Sequence, residues 1–227
     1  MDDGWKILIG ITLIFCIGIN ALILVSGMNY PDGFTAAGIQ ITSVYQYDVT
    51  LTGTGTAENV TLMIPLPSVS GYAPVGDAIV SGNAEGIRTD WTTGEVGTGD
   101  AVFLKVTAPA ISFADGPVTF GTVVSTTSLI DTADPAGETF LLRPKENIIH
   151  ENGITHYTAP LYAVYDMPGQ EGMGITVHLD GANTWRYPVP SGNHLTDTLT
   201  LTGTNQGDGW QDADGTLTVA IGKYSII

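Results

Sequence analysis

Ile39-Gln40-Ile41-Thr42-Ser43-Val44-Tyr45-Gln46-Tyr47-Asp48-Val49-Thr50-Leu51-Thr52 is the stretch that settles the fold class. Tyr45, Tyr47, Val49 and Leu51 fall on one side of an extended chain. Gln46, Asp48, Thr50 and Thr52 fall on the other. A period of two is that of a strand with one face packed and one in water. Gly53 to Ala57 then turns the chain, and Val60, Leu62 and Ile64 line a second strand. Pro65 and Pro67 end it, since proline has no N–H to give a ladder. The two strands read as a hairpin.

Downstream the same texture continues, with short β-branched runs between Gly, Asp, Asn and Pro turns and no run of period 3.6. Weak strands are expected near 78–80 and 87–91. Val102, Leu104 and Val106 mark a clear strand that stops at Pro109, and residues 118–124 mark another. Further strands are expected around Phe140–Leu142, 154–165, 175–179, 195–202 and 216–224. Gly203 to Gly215 reads as a long turn. The fold class is all-β, a β-sandwich-like domain over 39–227, with two sub-sandwiches meeting near 125–140 as one arrangement. Asp48–Thr54 echoes Asp197–Thr204, a faint sign of duplication.

Upstream lies Ile7-Leu8-Ile9-Gly10-Ile11-Thr12-Leu13-Ile14-Phe15-Cys16-Ile17-Gly18-Ile19-Asn20-Ala21-Leu22-Ile23-Leu24-Val25, uncharged throughout. As a helix it would span about 28 Å, close to the ~30 Å hydrocarbon core of a bilayer. A helix pairs its own backbone polar groups, as lipid demands. Trp5 and Lys6 suit the headgroup zone ahead of it, and Asn20 is the one amide within it. The expectation is a single-pass anchor. Residues 1–6 form a cytoplasmic flank, 7–25 the membrane helix, 26–38 a tether, and the remainder an extracellular domain at the cell membrane. A cleaved signal peptide is the rival, but its apolar region is usually roughly 7–15 residues long.

Seven basic residues stand against 23 acidic ones, a net charge of −16. Such a surface repels nucleic acid and anionic lipid headgroups, so no nucleic-acid partner is expected. Cys16, the single cysteine, lies inside the apolar run, so the β domain has no disulfide to lean on.

Two stretches carry a resemblance. One is Tyr45-Gln46-Tyr47-Asp48-Val49-Thr50-Leu51, followed by Glu58-Asn59-Val60-Thr61-Leu62-Met63-Ile64-Pro65-Leu66-Pro67. The other is His194 to Tyr224, with Asp197, Gly209-Trp210 and Gly222-Lys223-Tyr224. Together they resemble uncharacterised membrane-anchored surface proteins of methanogenic archaea. The resemblance covers the two ends of the outer domain. The family has no assigned activity, so the resemblance implies an archaeal cell-surface location and the class of protein only.

Candidate sites are few. Asn59-Val60-Thr61 is a sequon, open to a surface glycan or to an ordinary strand. Asp208, Asp212 and Asp214, in the glycine-bearing turn, are candidate calcium ligands, although Asp-Gly is also common turn chemistry. No other cofactor is expected. Trp91, Trp185 and Trp210 could stack on sugars or plug the core. His150, His156, His178 and His194 lack any zinc spacing, and no nucleophile elbow, phosphate loop or dinucleotide fingerprint occurs. An enzyme is not expected. Two functions stay open. One is a structural surface protein, with membrane lipid as partner and further copies of itself in an array or filament. The other is an anchored binding module for glycans or other surface ligands.

Overall fold

The computed structural model describes residues 41–99, 101–135, 139–168, 172–185, 191–203, 208–220 and 225–226. The apolar run 7–25, with Trp5, Lys6 and Asn20, lies outside them. Among the described residues no helix is long and apolar enough to cross a membrane.

The described chain is all-β with one short helix, built as a curled antiparallel sheet. Its strands are β1 Ile41–Thr52, β2 Thr56–Pro65, β3 Pro67–Ser68, β4 Thr92–Thr98, β5 Ala101–Ser112, β6 Val118–Thr126 and β7 Leu141–Leu142. These are followed by β8 Glu146–Glu151, β9 Ile154–Asp166, β10 Gly174–Trp185, β11 Ser191–Leu201, β12 Asp208–Thr218 and β13 Ser225–Ile226. Helix α1, Pro74–Val80, sits between β3 and β4. The main ladder runs β4-β5-β2-β9-β12-β11-β10-β1-β6. β8 hangs from β9, β13 pairs with β11, and β3 and β7 form a separate pair. Strands from both sides of 125–140 interleave in this one ladder.

The alternation of the opening stretch is realised in full: Tyr45, Tyr47, Val49 and Leu51 are all buried in one core. The hairpin expected of β1 and β2 does not form. β1 pairs with β10 and β6, while β2 pairs with β5 and β9. After β1 the turn is tied to the end of β5, in the other half of the curled sheet, where the Phe113 N–H donates to the Gly55 carbonyl at 2.9 Å. The chain therefore crosses the core instead of doubling back. Tyr47 spans the same gap, its hydroxyl donating to the Pro65 carbonyl at 3.1 Å.

The weak strand expected near 78–80 is the helix instead. Pro74 opens it at the first turn, where the missing N–H costs nothing. Val75, Gly76 and Ile79 are its buried residues. Contacts from α1 reach both β4 and β6, the two end strands, so the helix fills the slit left by the curl. The segment that follows completes the filling. Glu85 and Gly121 exchange backbone hydrogen bonds at 2.9 and 3.1 Å. Trp91 packs edge-on against Phe120 with ring centroids 5.8 Å apart. Residues 87–91 are not a strand, and β4 starts at Thr92.

Two further expectations are corrected. β5 runs past Pro109 to Ser112. The ladder pairs Glu58 with Ala110 and Val60 with Ala108, so Pro109 lies opposite Asn59, which adopts φ 53° and steps out of the pairing. A proline there forfeits no ladder bond. The long turn read at 203–215 is strand from Asp208 onward, and β12 ends at Thr218.

Candidate functional site

Burial is the place to look, because a buried charge is informative where a buried leucine is not. In β11 the inward positions run Leu195, Asp197, Leu199 and Leu201. Asp197 is fully buried at a position where the alternation calls for an apolar side chain. Four hydrogen bonds satisfy it. Lys145 Nζ donates to Oδ1 at 2.8 Å and to Oδ2 at 2.7 Å. The Tyr157 hydroxyl donates to Oδ1 at 2.6 Å, and the Leu142 N–H to Oδ2 at 3.1 Å. The Lys145 ammonium also sits 3.4 Å from the centre of the Tyr157 ring. A cation over an aromatic face gains from the ring quadrupole, more so when water is excluded.

Each partner is delivered by its element. Lys145 lies in the short link between β7 and β8, and Tyr157 is an inward residue of β9. Between β9 and β11 runs β12, where Gly215 pairs with both Tyr157 and Leu199. A Cβ at Gly215 would run into the Tyr157 ring, so only glycine leaves the phenol room to reach Asp197. Burial lowers the Lys145 ammonium to about 8, although the Asp197 carboxylate pulls the other way. Burial, then the adjacent carboxylate, pushes the Tyr157 phenol well above its ordinary range. A buried pair of this kind contributes through its geometry, and removing one partner leaves a stranded charge.

The residues singled out in the sequence scatter. Asn59 is exposed beside β9, its amide donating to Asp166 Oδ2 at 2.8 Å. Asp212 and Asp214 point outward from β12, exposed, rather than lining a loop. Asp208 begins the same strand. Among the described residues no three His, Cys, Asp or Glu side chains gather as a metal site. Trp91 is 7% exposed, a core plug and not a platform for ligands. Trp185 is half-buried at the end of β10. Trp210 is 53% exposed on the outer face of β12. Its ring stands between Phe103, 5.3 Å away and tilted 73°, and Tyr162, 5.4 Å away and tilted 67°. His150 and His156 do not share one strand, because Asn152 and Gly153 turn between β8 and β9 with positive φ.

β8 is the other feature outside the expectations. All six of its residues are exposed. Ile148 is 51% and Ile149 61% exposed, among the most exposed large apolar side chains described. Among the described residues β8 pairs only with β9, leaving its second edge free. The sequence signal for the buried cluster was the aspartate at an inward position between Leu195 and Leu199. For β8 it was two adjacent isoleucines flanked by Glu146 and Glu151.

The chain matches no protein-family model, no curated protein and no solved structure.

Proposed function

We propose that this is a membrane-anchored archaeal cell-surface structural protein that joins copies of itself through a free sheet edge. The observation that carries the reading is β8, an exposed strand with an open edge and two exposed isoleucines. Edge strands offer unpaired N–H and C=O groups to another chain, and adjacent apolar side chains add area to the pairing. The uncharged run 7–25 supports a helical anchor, with membrane lipid as its partner and the β domain extracellular. The acidic balance supports a well-solvated exterior that shuns nucleic acid. In this reading the curled sheet works as a sandwich-like body, its two halves facing each other across one core.

A second reading has its own observation. Trp210, exposed and steadied edge-on by two rings, suits stacking on the apolar face of a neutral sugar. The exposed carboxylates of Asp212 and Asp214 on the same face would accept hydrogen bonds from its hydroxyls. Here the protein is an anchored binding module.

Alkaline carbonate extraction and protease shaving of intact cells test the shared anchor. The expected result is a chain that stays in the membrane pellet and loses its β domain to external protease. A chain released into the carbonate wash, or one protected in intact cells, overturns the reading.

A further inference from the structure

We propose that Lys145 and Asp197 condense into an intramolecular amide that staples the β7–β8 link to β11. Both oxygens of Asp197 lie within 2.8 Å of Lys145 Nζ, and Asp197 is wholly shielded from solvent. The Lys145 side chain is 12% exposed. Well-oriented intramolecular partners gain effective molarities on the order of 10⁵–10⁸ M. Exclusion of bulk water removes the solvent that would otherwise favour hydrolysis.

The ion pair already holds every atom the reaction needs. The ammonium gives up two protons, and its nitrogen bonds to Cγ of Asp197. Oδ1 takes both protons and leaves as water, so the charges cancel and no other reactant is consumed. Two groups stand where such a step wants them. The Tyr157 hydroxyl, 2.6 Å from Oδ1, keeps its own proton and holds the departing oxygen by a hydrogen bond while the protons of Nζ pass to it directly. The Leu142 N–H, on Oδ2, steadies the charge that builds there and then holds the new amide carbonyl. Burial, which lowers the ammonium to about 8, raises the share of free amine able to attack. The chain's one cysteine lies at position 16, so a lysine–aspartate bond would be the staple available to the β domain. Closing the loop from 145 to 197 would restrict the unfolded chain as a disulfide does.

Peptide mass spectrometry on the full chain after trypsin decides the matter. The expected result is no cleavage after Lys145, and one linked species joining its peptide to that bearing Asp197, lighter by one water. Lys145→Arg should abolish that species. Cleavage after Lys145 in the wild type, with both peptides separate and at full mass, would overturn the proposal whether or not the variant folds.

Discussion

Asp197 and its partners show how a single side chain can fix the interior. Stripping the carboxylate away would strand Lys145 in a space that burial has already made hostile to charge. Asp197→Ala should therefore cost about 3–5 kcal/mol of stability, read from urea denaturation. A cost within a few tenths of a kcal/mol would show that the cluster is not holding the fold. Three buried phenols set the alkaline limit. Burial raises Tyr45 to about 12 and pushes Tyr47 and Tyr157 further up. In the unfolded chain each would lose its proton near 10. Above that pH the unfolded state binds fewer protons than the folded one, so stability falls as pH rises. Melting temperatures between pH 9 and 12 should be level at first and drop beyond about pH 10. A rise beyond that pH would contradict the burial of these rings.

At the scale of elements, the period-two pattern was legible wherever a strand keeps one face inward, as in β1, β10 and β11. Pairing was not legible, because alternation says which face is buried and nothing about which strand lies alongside. That is why β1 and β2, adjacent in sequence, read as a hairpin and yet face each other across the core. Helix α1 was hidden for a different reason. With seven residues it spans about two turns, too few to display a period of 3.6. β12 was masked by composition, since its outward positions carry Trp210, Asp212 and Asp214 and its glycines suggest a turn. Gly215 is there to leave room for Tyr157, which no reading of the strand alone reveals. The tryptophans separate at this scale too. Trp91→Ala opens the slit plug and should cost about 3–5 kcal/mol. Trp210→Ala removes an exposed ring and should cost about 1 kcal/mol or less. Thermal melts of the two variants check the contrast, and equal losses would mean that Trp210 supports the fold as Trp91 does.

For the whole molecule, the sheet manages its edges unequally. The end strands β4 and β6 both meet α1, and β6 is further covered by the bridge to Glu85. β8 has no such cover among the described residues, and its register shift between Glu146 and Ile149 leaves both isoleucines outside. A protein tethered to a membrane meets its neighbours in two dimensions, where even a modest edge contact is multiplied by the high local concentration. Under the proposed function the apolar run 7–25 and the free edge of β8 act together: the anchor would concentrate the domain and the edge would link it. The size of the full chain, cross-linked in its membrane and then sedimented in mild detergent beside an Ile148→Asp, Ile149→Asp variant, tests that account most directly. It predicts assemblies of many copies for the wild type and single copies for the variant. Wild-type chains that sediment as single copies, or assemblies that survive the double substitution, would contradict it.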